Sequence, residues 1–320
     1  MSERYLWDRS GPPDPEIERL ERALAPLRLP PAAPVRSRRA LVRAGRVWPL
    51  RWAAAACLAL AAIGLTRVAA PPAGNTSWQV VRAGGQAAAV SSPVRSGQTL
   101  RTGAGAGLTL RADEVGQIDL GPDSELRAST NRRLLLRRGM LHAFIWAPPR
   151  QFVVDTPSAR AVDLGCEYTL TVNGSGDGML RVAMGWVAFQ FGNQESFIPA
   201  GAACVTRRAQ GPGIPFYEDA PETLRAALDR FERGDSAALD GLLAAARPRD
   251  ALTLWHLLTR APARGRGRVF DRFAQLVPLP AQVSREAALR NDARAIDLCW
   301  DALGLQNAQW WRGWERNWTP

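Results

Sequence analysis

The sequence predicts a mainly β domain of short strands, arranged as a sandwich or a solenoid, followed by an all-α bundle and preceded by one transmembrane helix. Three observations predict it. An uncharged run, WAAAACLALAAIGLT (52–66), is bracketed by Arg51 and Arg67; from Trp78 to about Thr206 apolar residues recur with period two; after residue 216 they recur with period 3.6. The chain's 320 residues are enough for two modest domains. The implied segments are an Arg-rich cytoplasmic tail (1–47), the membrane helix (48–70), the β domain (76–209) and the helical domain (216–320).

The uncharged run alone covers about 22 Å at 1.5 Å per residue, short of a hydrocarbon layer of roughly 30 Å. Its flanks extend it. Arg51 and Arg67 can snorkel, Trp48 and Trp52 suit the interface, and Val68–Ala70 continue the apolar stretch up to Pro71 and Pro72. The alternative is an Ala-rich helix buried in a soluble core. Orientation follows from the arginines: Arg36, Arg38, Arg39, Arg43, Arg46 and Arg51 crowd the N-terminal flank, so the N-terminus is expected in the cytoplasm and everything after Pro71 outside it. A tail of about 50 residues before the run fits an uncleaved signal anchor better than a cleaved signal peptide.

The charge balance is 41 basic against 30 acidic residues, a formal +11, and every basic residue is arginine. Because the excess clusters before the apolar run, it reads as a topology signal, with the lipid bilayer and not nucleic acid as the expected partner. Within the tail, DPEIERLERALAPLR (14–28) sets Ile17, Leu20, Leu24 and Leu27 on one helical face, with Asp14 as a plausible N-cap. So short a helix is marginal in water and needs its stripe covered, by a partner protein or by the inner leaflet. The following LPPAAPVRSRRA reads as a tether.

The β region divides into runs: LTL (108–110), QIDL (117–120), ELRA (125–128), RLLL (133–136), FVVD (152–155), EYTLTV (167–172), LRVAMGWVAFQ (180–190) and SFIPA (196–200). NGSGDG (173–178) is the clearest hairpin loop. Four pieces occur in a fixed order: SGQTLRTGAGAGLTL (96–110), VGQIDLGPDSEL (115–126), LLLRRGMLHAFI (134–145) and FVVDTPSARAVDLGCEYTLTV (152–172). Taken in that order, and with a single membrane helix upstream, they resemble the FecR family of transmembrane signal transducers. The resemblance covers roughly 78–206 plus the topology. It implies a single-pass inner-membrane protein whose periplasmic β domain senses a ligand or protein and whose tail regulates an extracytoplasmic-function sigma factor. Ile17, Leu20, Leu24 and Leu27 are then the expected contact. Two features depart from the family: Gly165-Cys166 stands where Gly-Thr is common, and the tail is shorter than the usual anti-sigma region. The tail also lacks the His and Cys of zinc-containing anti-sigma factors.

Four cysteines, Cys57, Cys166, Cys204 and Cys299, form no C-x-x-C, and no metal site or cofactor is expected. Cys166 and Cys204 flank the 167–200 hairpin region, so they could form a cross-strand disulfide in an oxidising compartment or remain two buried thiols. After QGPGIP (210–215), read as a linker, helices are expected at 220–233, 236–246, 249–260, 266–277 and 284–302, with Asp235 or Ser236 and Ser284 as caps. The final WWRGWERNWTP places Trp311, Trp314 and Trp318 on one helical face, to bind glycan, rest on the outer leaflet or pack on its own domain.

No catalytic set is evident. His142 lies in a strand and His256 inside LTLWHLL, both expected in the core or at an edge. Gly103, Gly105 and Gly107 lead into a strand and read as a turn, not a phosphate loop. Asp113 and Glu114 read as solvated loop charges. The competing expectation to sigma-factor control is an envelope-anchored scaffold that binds glycan or protein and uses its tail only for topology.

Overall fold

The computed structural model of the protein describes residues 78–84 and 86–305, with only the backbone described over 86–91. The tail with its expected helix at 14–28, the expected membrane run 48–70, and the tryptophans at 310, 311, 314 and 318 lie outside the described residues. Among the described residues no helix is long and apolar enough to cross a membrane.

Among the described residues, sixteen strands precede six α-helices. One sheet runs β2 (Gln86–Pro93), β1 (Gln79–Ala83), β4 (Leu108–Ala112), β5 (Gly116–Leu120), the second half of β7 (Arg133–Ile145), β10 (Glu167–Val172), β11 (Gly178–Met184) and β14 (Ala202–Arg207). Two short strands, β15 (Gly211–Pro212) and β16 (Phe216–Tyr217), border β14. The other sheet runs β3 (Thr99–Arg101), β6 (Glu125–Thr130), the first half of β7, β8 (Val153–Asp155), β9 (Arg160–Asp163), β12 (Trp186–Phe191) and β13 (Gln194–Pro199). We call these the first and second sheets. Every pairing is antiparallel except β7 with β8, so a parallel solenoid is excluded and β7 ties two antiparallel sheets together.

Alternation produces this arrangement. In EYTLTV, Tyr168, Leu170 and Val172 point inward and Glu167, Thr169 and Thr171 outward. In register, Leu110, Ile118, Ala143, Tyr168 and Val182 form one buried row across five strands. Leu120, Leu141, Leu170, Leu180 and Cys204 form the next. The second sheet adds Leu126, Leu134, Val154, Ala161, Val187 and Phe189 to the same core.

The expected single run at 180–190 is broken at Gly185, where the chain leaves the first sheet for the second. Beside it, residues 164–166 carry the chain back the other way, and Gly165 O lies 1.9 Å from where a Gly185 Cβ would stand. With φ at 73° as well, only glycine fits there.

The helices are α1 (Glu222–Glu232), α2 (Ala238–Ala245), α3 (Ala251–Arg260), α4 (Ala263–Leu276), α5 (Arg285–Leu289) and α6 (Ala293–Ala302). Ser284 caps α5 as expected, accepting from Ala287 N–H at 3.1 Å. The long helix expected at 284–302 is instead two: Asn291 adopts φ 59°, and Asp292 starts α6 by accepting from Ala295 N–H. Residues 210–215 are not a free linker. Gly211–Pro212 is a buried strand, and Gly213 O accepts from Ser196 Oγ and Arg260.

Strands and helices belong to one compact unit. His256 Nε2 on α3 accepts from Phe197 N–H of the border strand β13 at 3.1 Å. Arg260, a turn later, donates to Glu195 O, Ser196 Oγ, Pro212 O and Gly213 O. Trp300 of α6 packs on Trp186, Phe197 and Trp255, with ring centroids 4.6–5.9 Å apart.

Candidate functional site

The outward face of the first sheet carries what a solvated sheet face normally lacks. Antiparallel sheets with one wet side alternate apolar-in and polar-out. Here Met140, Phe144, Trp146 and Met184 are 41–49% exposed, four of the five large apolar side chains exposed among the described residues. They sit on β7, just past its end, and at the end of β11. Met179, half-buried, faces the same way.

Register sets their neighbours. Phe144 lies between Gln117 and Glu167, and Glu167 faces Met184. In the adjacent row His142 lies between Asp119 and Thr169, with Arg181 beyond. Met140, Thr171 and Met179 make a third row. The aromatic pair is fixed: Phe144 and Trp146 meet edge-to-face at 5.9 Å, Trp146 Nε1 donates to Asp113 O at 2.6 Å, and the Arg111 guanidinium lies 5.7 Å from the Trp146 ring. His142 holds Nδ1 3.2 Å from Thr169 Oγ1 and Nε2 3.2 Å from Glu167 Oε1. Such a face can bind, since apolar anchors surround a small polar centre. Nothing in it activates a nucleophile, and among the described residues no three His, Cys, Asp or Glu side chains converge on a metal position.

The ordered motif pieces meet behind this face. Thr102 Oγ1 donates to Gly121 O at 2.7 Å and accepts from Ser124 N–H at 2.9 Å. Ser124 Oγ accepts from Met140 N–H at 3.0 Å. Gly139, with φ 98°, passes so close that a Cβ would stand 2.1 Å from Ser124 Oγ. The opening piece, the loop after β5 and the glycine of β7 thus form one hydrogen-bonded node that sets where β7 turns its second half into the first sheet. The fourth piece makes its own: Thr156 Oγ1 bonds both ways with Ala159, and Ser158 Oγ meets Thr206 Oγ1 at 2.7 Å.

Cys166 and Cys204 are not bonded to each other; both are free and buried. Cys204 lies opposite Leu180, which lies opposite Leu170, while Cys166 stands four residues before Leu170, just ahead of its strand. Two strand spacings and four residues of rise put the pair roughly 16 Å apart, far beyond the 7 Å limit for a bridge. The Cys166 thiol donates instead to Asp163, which also accepts from Gly165 N–H at 2.8 Å. Burial raises the Asp163 carboxyl to about 7 and pushes the Cys204 thiol up to about 12. His256 is a core histidine held down at about 3, chiefly by burial. His142 is on the open face and not in the core. Ile17, Leu20, Leu24 and Leu27 lie outside the described residues.

The exposed face was missed in the sequence, although MLHAFIW (140–146) gave a sign of it. Apolar residues occupy both parities there, which a strand with one wet face has no need to do.

No protein-family model matches the chain, and no curated protein matches it. Two crystal structures of a "putative anti-sigma factor" from Parabacteroides distasonis are similar to it at 14% and 15% identity, with TM-scores of 0.34 and 0.33. The matches cover 42% and 41% of this chain, and the chain spans just under two thirds of those structures' length, 65% and 64%.

Proposed function

We propose that the protein is a single-pass inner-membrane signal transducer resembling the FecR family, with its tail in the cytoplasm and its β unit on the periplasmic side. The observation that carries this reading is the node of Thr102, Ser124, Gly139 and Met140. The first three of the four ordered motif pieces that resemble the family are spread over 96–145 in sequence, yet they are joined there by hydrogen bonds. The pieces are therefore parts of one architecture. The open face around Phe144 and Met184 is the sensing surface, and the stripe of Ile17, Leu20, Leu24 and Leu27 is the contact for an extracytoplasmic-function sigma factor. No catalysis, cofactor or metal is needed for either step.

The test is pull-down of the full chain with the extracytoplasmic-function sigma factors of its own cell, beside a variant carrying Leu20→Asp and Leu24→Asp. Retrieval by the parent and loss in the variant supports the reading; equal recovery from both, or none from either, refutes it. The exposed aromatic pair also fits an envelope scaffold that binds glycan or protein. In that case, replacing residues 1–47 by an unrelated Arg-rich anchor leaves transcription unchanged.

A further inference from the structure

The two chain crossings between the sheets enclose a polar cluster just behind the open face. Residues 164–166 carry the chain from β9 to β10, and Gly185 carries it back from β11 to β12. The crossings touch: Gly165 O lies 1.9 Å from where a Gly185 Cβ would stand, and Leu164 N–H donates to Trp186 O at 3.2 Å. Inside them Asp163 accepts from Gly165 N–H and from the Cys166 thiol. Tyr168, the next inward residue after Cys166, is fully buried, and its hydroxyl has no hydrogen-bond partner among the described residues. A buried hydroxyl without a partner is costly and calls for a reason.

Its surroundings supply one. Burial, and then the fields of Cys166 and Asp163, push the Tyr168 hydroxyl well above the ordinary tyrosine range, so it keeps its proton and stays a donor. Asp163 has the opposite need. As a neutral acid it is served by the two donors it has; as a carboxylate it is a buried anion with two uncharged donors and no cation. The titratable groups that face it are Cys166 from the crossing and Tyr168 from β10. From β12 it meets Val187, and from the chain before β8 it meets backbone, Arg150 N–H donating to Asp163 O while the Arg150 side chain is exposed. Tyr168 is therefore the donor in reserve.

Movement here reaches the open face. Glu167 lies between Cys166 and Tyr168, and β11 carries an extra residue, Ala183, so that Glu167 faces Met184 while Tyr168 faces Val182. Met184 in turn adjoins Gly185, which has no space to yield to Gly165. We infer that ionisation of Asp163 draws the Tyr168 hydroxyl onto its carboxylate and shifts this bulge, so that Glu167 and Met184 change position on the open face and pH sets the shape of the sensing surface. This rests on the proposed reading of that face and adds a regulator to it, a proton taken up or lost at a packed crossing with two arrangements.

Methionine methyl resonances report the change, because Met140, Met179 and Met184 all lie on this face. In the purified full chain labelled with 13C-methyl methionine, Met184 should shift between about pH 5 and 9 with a midpoint of about 7, and Met140, on β7 away from the crossings, should not follow it. Asp163→Asn, which cannot ionise, should hold Met184 at its acid position throughout. Tyr168→Phe removes the reserve donor, a hydroxyl that has no partner to lose, so the chain should stay folded while Met184 loses the shift; this variant decides the matter even if Asp163→Asn does not fold. His142 Nε2 also meets Glu167 Oε1 at 3.2 Å and can itself take up a proton, so His142→Gln is measured beside them and should keep the midpoint. A Met184 resonance that does not move, that moves equally in Asp163→Asn or Tyr168→Phe, or that stops moving in His142→Gln overturns the inference. No sigma factor, ligand or membrane enters the measurement, so its failure is separate from failure of the proposed function.

Discussion

Asp163 is fully buried and accepts hydrogen bonds from Gly165 N–H and the Cys166 thiol, neither of which carries charge. Desolvation therefore dominates and lifts its carboxyl from 3.8 to about 7. The folded chain holds this proton more tightly than the unfolded chain, so the site's contribution to stability is complete below pH 4 and is lost as pH rises through 7. Asp163→Asn keeps an acceptor for Gly165 N–H and removes the ionisation. Urea unfolding should find it close to the parent at pH 5 and more stable at pH 8.5, by on the order of 3 kcal/mol; the same difference at both pH values would contradict this. At the neighbouring crossover, Gly185→Ala meets both a 1.9 Å approach to Gly165 O and a φ of 73°. It should cost more than about 3 kcal/mol, seen as a lowered urea midpoint or loss of soluble protein.

At the scale of elements, β13 borders the second sheet, and such borders invite pairing with foreign strands. Here α3 closes it with side chains, His256 accepting from Phe197 N–H and Arg260 taking Glu195 O. His256→Leu leaves a buried N–H unsatisfied, whereas His256→Gln can supply an acceptor. The leucine variant should be the less stable by about 1–3 kcal/mol in urea unfolding, and equal stability would remove the hydrogen bond from the account. This closure explains part of what could be read in the sequence. Strands such as EYTLTV and the cap at Ser284 follow from local alternation and local hydrogen bonding, and both were legible. The strand at Gly211–Pro212 was not, because its partners Thr206, Arg207 and Arg260 come from elsewhere and its own residues signal only a turn. The break at 290–292 had a local sign, Asn291 followed by Asp292, but the Ala-rich period on either side masked it. For the candidate site, alternation placed β7 and β10 while giving no measure of how much of their outer face stays uncovered, since that depends on what the rest of the chain lays over it.

At the scale of the molecule, Asp163 and His256 act in opposite directions on one cooperative unit. His256 is buried neutral and held down at about 3, against 6.5 for an ordinary histidine, so the unfolded chain binds its proton first and stability falls as pH drops below 6.5. Asp163 does the reverse over the same interval, the folded chain holding a proton that the unfolded chain has released. Between about pH 4 and 6.5 the two slopes, each about 1.4 kcal/mol per pH unit, should cancel and leave a plateau in the parent protein. Asp163→Asn removes one slope, and its stability should then fall with acid across that interval at about the full slope of His256. His256→Gln removes the other, and its stability should rise as pH falls from 6.5 to 4. Because Asp163 lies at a crossover between the sheets and His256 on the helix that closes the second sheet, both slopes appear in one transition only if strands and helices unfold together. Unfolding free energies at four pH values for the three chains test this. If the parent is not flat, or if the strand and helix signals of either variant separate into two transitions, the helices are not part of the same cooperative unit as the sheets.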